Sequence, residues 1–221
     1  MKYCDITSNL IRNFLEWERE TVYPELVLPG FSDLEKLSRQ VEKCRKCPLG
    51  ETRIRAVFGQ GNPAARIMFV GEGPGYQEDH QGLPFVGRAG QLLDNLLKEV
   101  GLKRSDVYIT NVVKCHPMVD PANPEKRGND RPPHPEEVQA CWPYLQQQIS
   151  VIKPKVICAL GAVAGQTLTG LAIPLGQMRR QLYDFSGIPL LVTYHPAAIL
   201  RNDNLLPLCL QDFRRLLQIV K

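Results

Sequence analysis

Four short apolar runs, each followed by a segment of helical or small-residue character, constrain this chain more than any other feature. Ile67-Met68-Phe69-Val70 comes first, and Leu92, Leu93, Leu96 and Leu97 follow at helical spacing between Ala89 and Val100. Val107-Tyr108-Ile109 with Val112-Val113 reads as a second strand, and Glu136 to Ile152 as a long helix in which Pro143 predicts a kink or a break. Val156-Ile157-Cys158-Ala159-Leu160 leads into a helix of small residues beginning at Gly161, and Leu190 to Thr193 precedes a closing helix over Leu205 to Val220. Runs this apolar suit strands covered on both faces. Their alternation with helices predicts an α/β fold with a mostly parallel, four-stranded sheet and helices on either side. Ligands bind such sheets beyond the carboxyl ends of the strands, so the loops after Val70, Val113, Leu160 and Thr193 are the candidates for function.

Residues 1–30 read as a short N-terminal helical extension to a domain spanning 31–221. Ile6, Leu10, Phe14 and Trp17 have helical spacing, and Pro24, Pro29 and Gly30 then break the chain. A second short helix is expected from Asp33 towards Val41, capped by Ser32. The net charge of +4, from 27 basic and 23 acidic residues, permits a polyanionic partner without requiring one. No stretch approaches the roughly 20 apolar residues of a membrane helix, and no signal peptide is evident. The expectation is a cytoplasmic chain without a membrane partner, whose seven cysteines favour metal binding over disulfides.

Four of those cysteines form a pattern. Cys44 and Cys47 make a Cys-x-x-Cys ahead of the sheet, Cys115 follows the second strand, and Cys141 lies in the next helix. Two close thiols and two distant ones suit a tetrahedral zinc site or an iron–sulfur cluster, and spacing alone does not choose between them. A redox dithiol with two core cysteines is the plainer alternative, although Cys44 lacks the strand-to-helix setting of such pairs. Cys158 lies within a strand and reads as core, and Cys4 and Cys209 as incidental.

Gly71-Glu72-Gly73-Pro74-Gly75 follows the first strand directly. Pro74 removes a backbone donor and the dinucleotide-binding spacing is not met. The loop instead sets one carboxylate, Glu72, among backbone groups free to approach a ligand closely. Phe85, between Pro84 and Gly87, is either a stacking platform or a core plug.

Together these segments resemble the family 4, iron–sulfur, uracil-DNA glycosylases. The resemblance runs from Cys44 to the C-terminal helix. It rests on Gly71–Gly75, Gly82–Leu93, Thr110-Asn111-Val112-Val113-Lys114-Cys115, Tyr194-His195-Pro196-Ala197 and Ile199-Leu200-Arg201, in that order with the cysteines between them. It implies a three-layer αβα sandwich, a [4Fe-4S] cluster on Cys44, Cys47, Cys115 and Cys141, and a monomer acting on uracil-containing DNA with free uracil as product. Glu72 and His195 would be catalytic, the first serving the attacking water and the second the leaving uracil. Asn111 would read the base, Phe85 would stack on it, and Gly71, Gly73 and Gly75 would border it. Arg88 and Arg201 would contact DNA while Ile199 and Leu200 wedge into the gap left by the flipped nucleotide.

The chain departs from the pattern in places. Gly73 stands where members of this family carry Ala, which suggests a wider pocket and relaxed selectivity, and Gly75 provides no side chain to exclude the thymine methyl. The stretch from His116 to Ala140 is longer than usual, so Lys126, Arg127 and Arg131 are candidate phosphate contacts or a solvated loop. His116 and His134 are candidates for covalent capture of the sugar, as in a related branch. The rival readings are a non-enzymatic metal-containing DNA-binding module and an iron–sulfur oxidoreductase.

Overall fold

The computed structural model describes residues 31–220; the expected N-terminal extension and Cys4 lie outside the described residues. Helix α1 (Phe31–Glu42) and the single turn α2 (Leu49–Thr52) precede the sheet. Then come β1 (Gln60–Gly61), β2 (Ile67–Gly71), α3 (Tyr76–Gln81), α4 (Arg88–Glu99), β3 (Tyr108–Asn111) and α5 (Pro135–Ile152). The chain continues through β4 (Val156–Leu160), α6 (Ala162–Thr169), α7 (Leu175–Met178), β5 (Leu182–Phe185), β6 (Ile188–Thr193), α8 (Pro196–Ile199) and α9 (Leu206–Ile219).

The sheet has six strands in the order β1-β3-β2-β4-β6-β5, not four. The four expected strands form its parallel centre, and antiparallel β1 and β5 are added at the edges. Neither edge strand has a buried apolar run. β1 is two residues long, and β5 alternates exposed and partly buried residues. The β5–β6 connection turns through Ser186 and Gly187, both at positive φ (52° and 85°), as tight hairpins of right-twisted strands require.

Alternation within the central strands divides the interior into two layers. Met68, Val70, Ile157, Ala159, Leu190 and Val192 face one way, onto Leu34, Leu37 and Val41 of α1 and Leu145 and Ile149 of α5. Ile67, Phe69, Val156, Cys158, Leu160 and Leu191 face the other, onto Leu93, Leu96 and Leu97 of α4 and Phe213 and Leu216 of α9. The result is the αβα sandwich. Helix α5 runs without interruption through Pro143, and its N-terminus is closed by Glu137, which accepts from the His134 main-chain N–H at 2.7 Å. The 3₁₀ turn Arg104–Asp106 before β3 and another at Asp203–Leu205 complete the connections. Among the described residues, no helix is long and apolar enough to cross a membrane.

Candidate active site

The parallel register brings the candidate residues to one edge. Gly71 at the end of β2 pairs with Asn111 at the end of β3, and Leu160 of β4 pairs with Thr193 of β6, two residues before His195. Pairing continues past the strands, since Val112 and Val113 donate their N–H groups to the carbonyls of Gly71 and Glu72. Glu72 is therefore held by its own main chain in the loop. Partial burial raises the pKa of its carboxyl group above the ordinary value.

Asn111 is 1% exposed, and its Oδ1 has no hydrogen-bond partner. A buried acceptor left unpaired costs about 1–3 kcal/mol, which an incoming N–H donor would return. The Phe85 ring lies beside it. A Cβ on Gly71 would overlap Asn111 Oδ1 and come within 2.6 Å of Phe85 Cζ, so glycine is needed to leave that space open. Phe85 is packed as the core plug its sequence allowed. It is 5% exposed in the α4-side layer, and its ring centroid lies 5.5 Å from that of His195.

Phe85 also has a positive φ of 53°, uncommon outside glycine, and three groups that sequence reasoning did not single out hold it there. Glu78 of α3 accepts from the N–H groups of Val86 (2.8 Å) and Gly87 (2.9 Å). Arg104 donates to the carbonyls of Phe85 (3.0 Å) and Pro84. A Cβ at Gly90 would overlap the Phe85 carbonyl, so α4 can approach this loop only with glycine there.

His195 caps α8. Its Nδ1 accepts from the Ala197 N–H at 3.1 Å, which leaves the proton of the neutral ring on Nε2. Burial, with the positive Arg201 adding to it, lowers its pKa from 6.5 to about 4, so near neutral pH the ring is an uncharged donor. Behind it, Thr193 Oγ1 donates to Asp212 at 2.6 Å, and Asp212 is paired with Arg179 at 2.5 Å.

The remaining candidates divide. Ile199 is 2% exposed and packs in the α4/α9 layer, so it is a core residue and not available as a wedge. Leu200, 41% exposed, and the exposed Arg201 stand at the surface beside it, and Arg88 is exposed at the start of α4. A side chain at Gly73 would press on Val113 Cγ2 at 2.8 Å, and one at Gly75 would meet Glu78 and Asp130. Glycine at 73 thus clears Val113, with Pro117 the next neighbour.

Arg131 is tied to Glu137 by paired bonds of 2.8 and 2.6 Å and to the Met118 carbonyl, which makes it a clasp of the long loop. Asn129, buried in that loop, bonds to Asp120 and Asn123. His116 is enclosed, with Nε2 2.7 Å from Asp130 Oδ1 and Nδ1 3.6 Å from Asp79. Burial disfavours its charge, but the hydrogen bond to Asp130 and the negative charge of nearby Asp79 prevail and lift it to about 9. Both nitrogens are therefore turned to aspartates. His134 serves at the start of α5.

The four cysteines meet in a corner between α1, α2, the β3–α5 loop and α5. Cys44, Cys47, Cys115 and Cys141 line one cavity with Val41, Gly50, Arg53, Lys114 and Tyr144. Gly50 lets the chain fold back here, since a Cβ would come within 2.6 Å of the Cys44 carbonyl oxygen. Two N–H groups already point at sulfur: Arg53 donates to Cys115 Sγ at 2.8 Å and the Lys114 main chain to Cys141 Sγ at 3.2 Å. Among the described residues no group of three His, Cys, Asp or Glu side chains forms a ready single-ion site; the thiols ring the cavity. The donor set, all sulfur with cationic and N–H neighbours, fits a negatively charged cysteine-ligated metal group. Burial raises Cys115 to about 11 and Cys141 to about 12, so deprotonation requires a cation in the cavity.

The sequence pattern of the Uracil DNA glycosylase superfamily matches residues 58–218, the whole span from the first strand to the closing helix. The chain belongs to this superfamily. A type-4 uracil-DNA glycosylase of Pyrobaculum aerophilum is 45% identical over 181 residues, covering 78% of this chain and 87% of that protein. The type-4 enzyme of Thermotoga maritima is 43% identical over 192 residues, covering 85% and 95%, and that of Archaeoglobus fulgidus 39% over 191 residues, covering 83% and 91%. Within the superfamily, its place is among the type-4 uracil-DNA glycosylases.

Proposed function

We propose that this protein hydrolyses the N-glycosidic bond of deoxyuridine in DNA, releasing free uracil and leaving an abasic site for base excision repair. The observation that carries the reading is the buried, unpartnered Oδ1 of Asn111, set beside an aromatic ring at the mouth of a parallel sheet. Uracil offers N3–H to such an acceptor and O4 to the amide NH₂. Cytosine presents the opposite pattern, and would leave the acceptor buried and unpaired.

The target must leave the base stack to reach this depth. Leu200, exposed beside Arg201, is the residue suited to fill the vacated position. Phe85 then supports the flipped base, a contact worth about 1–3 kcal/mol. As the bond to the sugar lengthens, negative charge gathers on the uracil, chiefly at O2, and the Nε2–H of His195 is the donor for it. Neutral imidazole suits this role, because it stabilises the departing anion without a charge to desolvate beforehand. Glu72, with its affinity for protons raised by burial, orients and deprotonates the attacking water and faces the positive charge on the sugar.

A [4Fe-4S] cluster on Cys44, Cys47, Cys115 and Cys141 would tie α1 and α2 to the β3–α5 loop. When bound, it supplies structure and negative charge, since hydrolysis transfers no electrons.

The test is incubation with a labelled oligonucleotide holding one deoxyuridine, with chromatography of the released base and alkaline cleavage of the strand. Free uracil with cleavage at that position is expected, and none from a matched deoxycytidine strand. DNA binding without uracil release would overturn the reading in favour of a binding module.

A further inference from the structure

Lys114 joins the cysteine corner to the pocket. The residue is 1% exposed, yet its ammonium group is fully engaged, donating to the Asn111 carbonyl at 2.6 Å, Gln148 Oε1 at 2.6 Å and Thr110 Oγ1 at 2.8 Å. Three acceptors satisfy its three N–H bonds. None of the three carries a formal charge. Its side chain thus serves the base-reading strand end while its main chain bonds the cysteine corner through Cys141.

The acceptors are themselves fixed. Gln148 Nε2 donates to the Phe58 carbonyl at 2.8 Å, and Thr110 Oγ1 lies 2.8 Å from the same oxygen. The Asn111 peptide is held from one side by Lys114 and, one residue on, by the Val112–Gly71 bond. Because Asn111 Oδ1 has no partner, the side chain is aimed by its main chain and by packing alone. Whatever fixes that main chain fixes the direction of the acceptor.

We propose that Lys114 is a positioning residue for base recognition, fixing the Asn111 main chain so that the four-cysteine corner and the uracil pocket are built as one unit. The proposal rests on the reading of Asn111 given above. It assigns the corner a role in selectivity, exercised through a hydrogen-bond network and not through electron transfer.

The test compares binding of two oligonucleotides by anaerobically purified, full-length protein. One contains 2′-fluoro-deoxyuridine, whose glycosidic bond resists hydrolysis, and the other an abasic tetrahydrofuran. Iron content and visible absorbance are measured on the same samples. In Lys114→Met the preference for the base-containing strand is expected to fall about tenfold, the scale of one lost charged hydrogen bond. Affinity for the abasic strand and iron content should remain at the wild-type level. Thr110→Val, which keeps the lysine and removes one acceptor, should lower the preference by a smaller factor, and it decides the matter if the methionine variant fails to fold or to hold iron. An unchanged preference, or equal loss of affinity for both strands with iron retained, would overturn the proposal. Wild-type protein with no preference for the base would instead overturn the reading of Asn111 itself.

Discussion

The two halves of the sheet's carboxyl edge solve the same problem by different physics. On the β6 side, His195 is set by local means: a helix cap of its own making, apolar burial, and the Thr193–Asp212–Arg179 chain behind it. On the β3 side, Asn111 makes no side-chain bond through Oδ1, and its main chain rests on Lys114 and hence on a corner whose sulfurs come from three separate segments. The first half needs only the fold. The second would be completed by a metal group on the four cysteines, of which Cys115 and Cys141 are buried and Cys44 and Cys47 partly exposed. The contrast teaches that chemistry and recognition here have separable supports.

That separation can be broken by mutation. On the proposed mechanism, replacing His195 with Ala removes the donor to the leaving group. Uracil release in single-turnover assays should fall by about 10²–10³-fold, with the uracil-over-cytosine preference in binding intact. Loss of that preference would mean that the two halves are not separable. Asn111→Ala should act in the opposite sense, costing about 1–3 kcal/mol of discrimination between bases, read as competition between deoxyuridine and deoxycytidine strands.

Metal removal sharpens the contrast without any assay of activity. Chelation should speed amide hydrogen exchange at Val112, Val113 and Lys114 while leaving β6 and α8 near their original protection. Uniform loss of protection would show that the cysteine corner holds the whole fold and not one half.

The smallest effect is one of pH. His195 is depressed to about 4 in the folded protein against 6.5, so the unfolded chain binds more protons between those values. Stability should therefore rise with pH across about 4 to 6.5 and be flat in this contribution above it. His195→Asn should flatten that limb in denaturant titrations at pH 4.5 and 6.5. The proposed mechanism also sets an acid limit on excision: if Glu72, raised by burial, must be ionised to serve the water, the rate should fall as pH drops through its raised pKa.

Much of this was legible in the sequence, and the reasons are physical. Strands buried on both faces leave continuous apolar runs, so β2, β4 and β6 could be placed before any coordinates. β1 and β5 could not, since an edge strand need bury little and β1 pairs only through Gln60 and Gly61. Glu72 and His195 were legible as residues just past apolar runs, whereas Asn111 fell inside the expected strand, which in the structure ends at Asn111 itself, before Val112 and Val113. Ile199 was not legible: its neighbour Leu200 has the same chemistry, and only the turn of α8 decides which of the two faces the core. Glu78, Arg104 and Gly90, which hold Phe85 at positive φ, act through space across three segments, and no local pattern announces them. Lys114 carried the least signal, since a lysine in sequence reads as surface.

The central claim is that Asn111 selects uracil and His195 helps to expel it. The most direct measurement is the single-turnover rate of free-base release from deoxyuridine- and deoxycytidine-containing strands by the wild-type protein, Asn111→Ala and His195→Ala. The account predicts rapid uracil release and no cytosine release by the wild type, a reduced rate with weakened preference for Asn111→Ala, and a collapsed rate for His195→Ala. Wild-type rates in both variants, or no uracil released by any of the three, would contradict it.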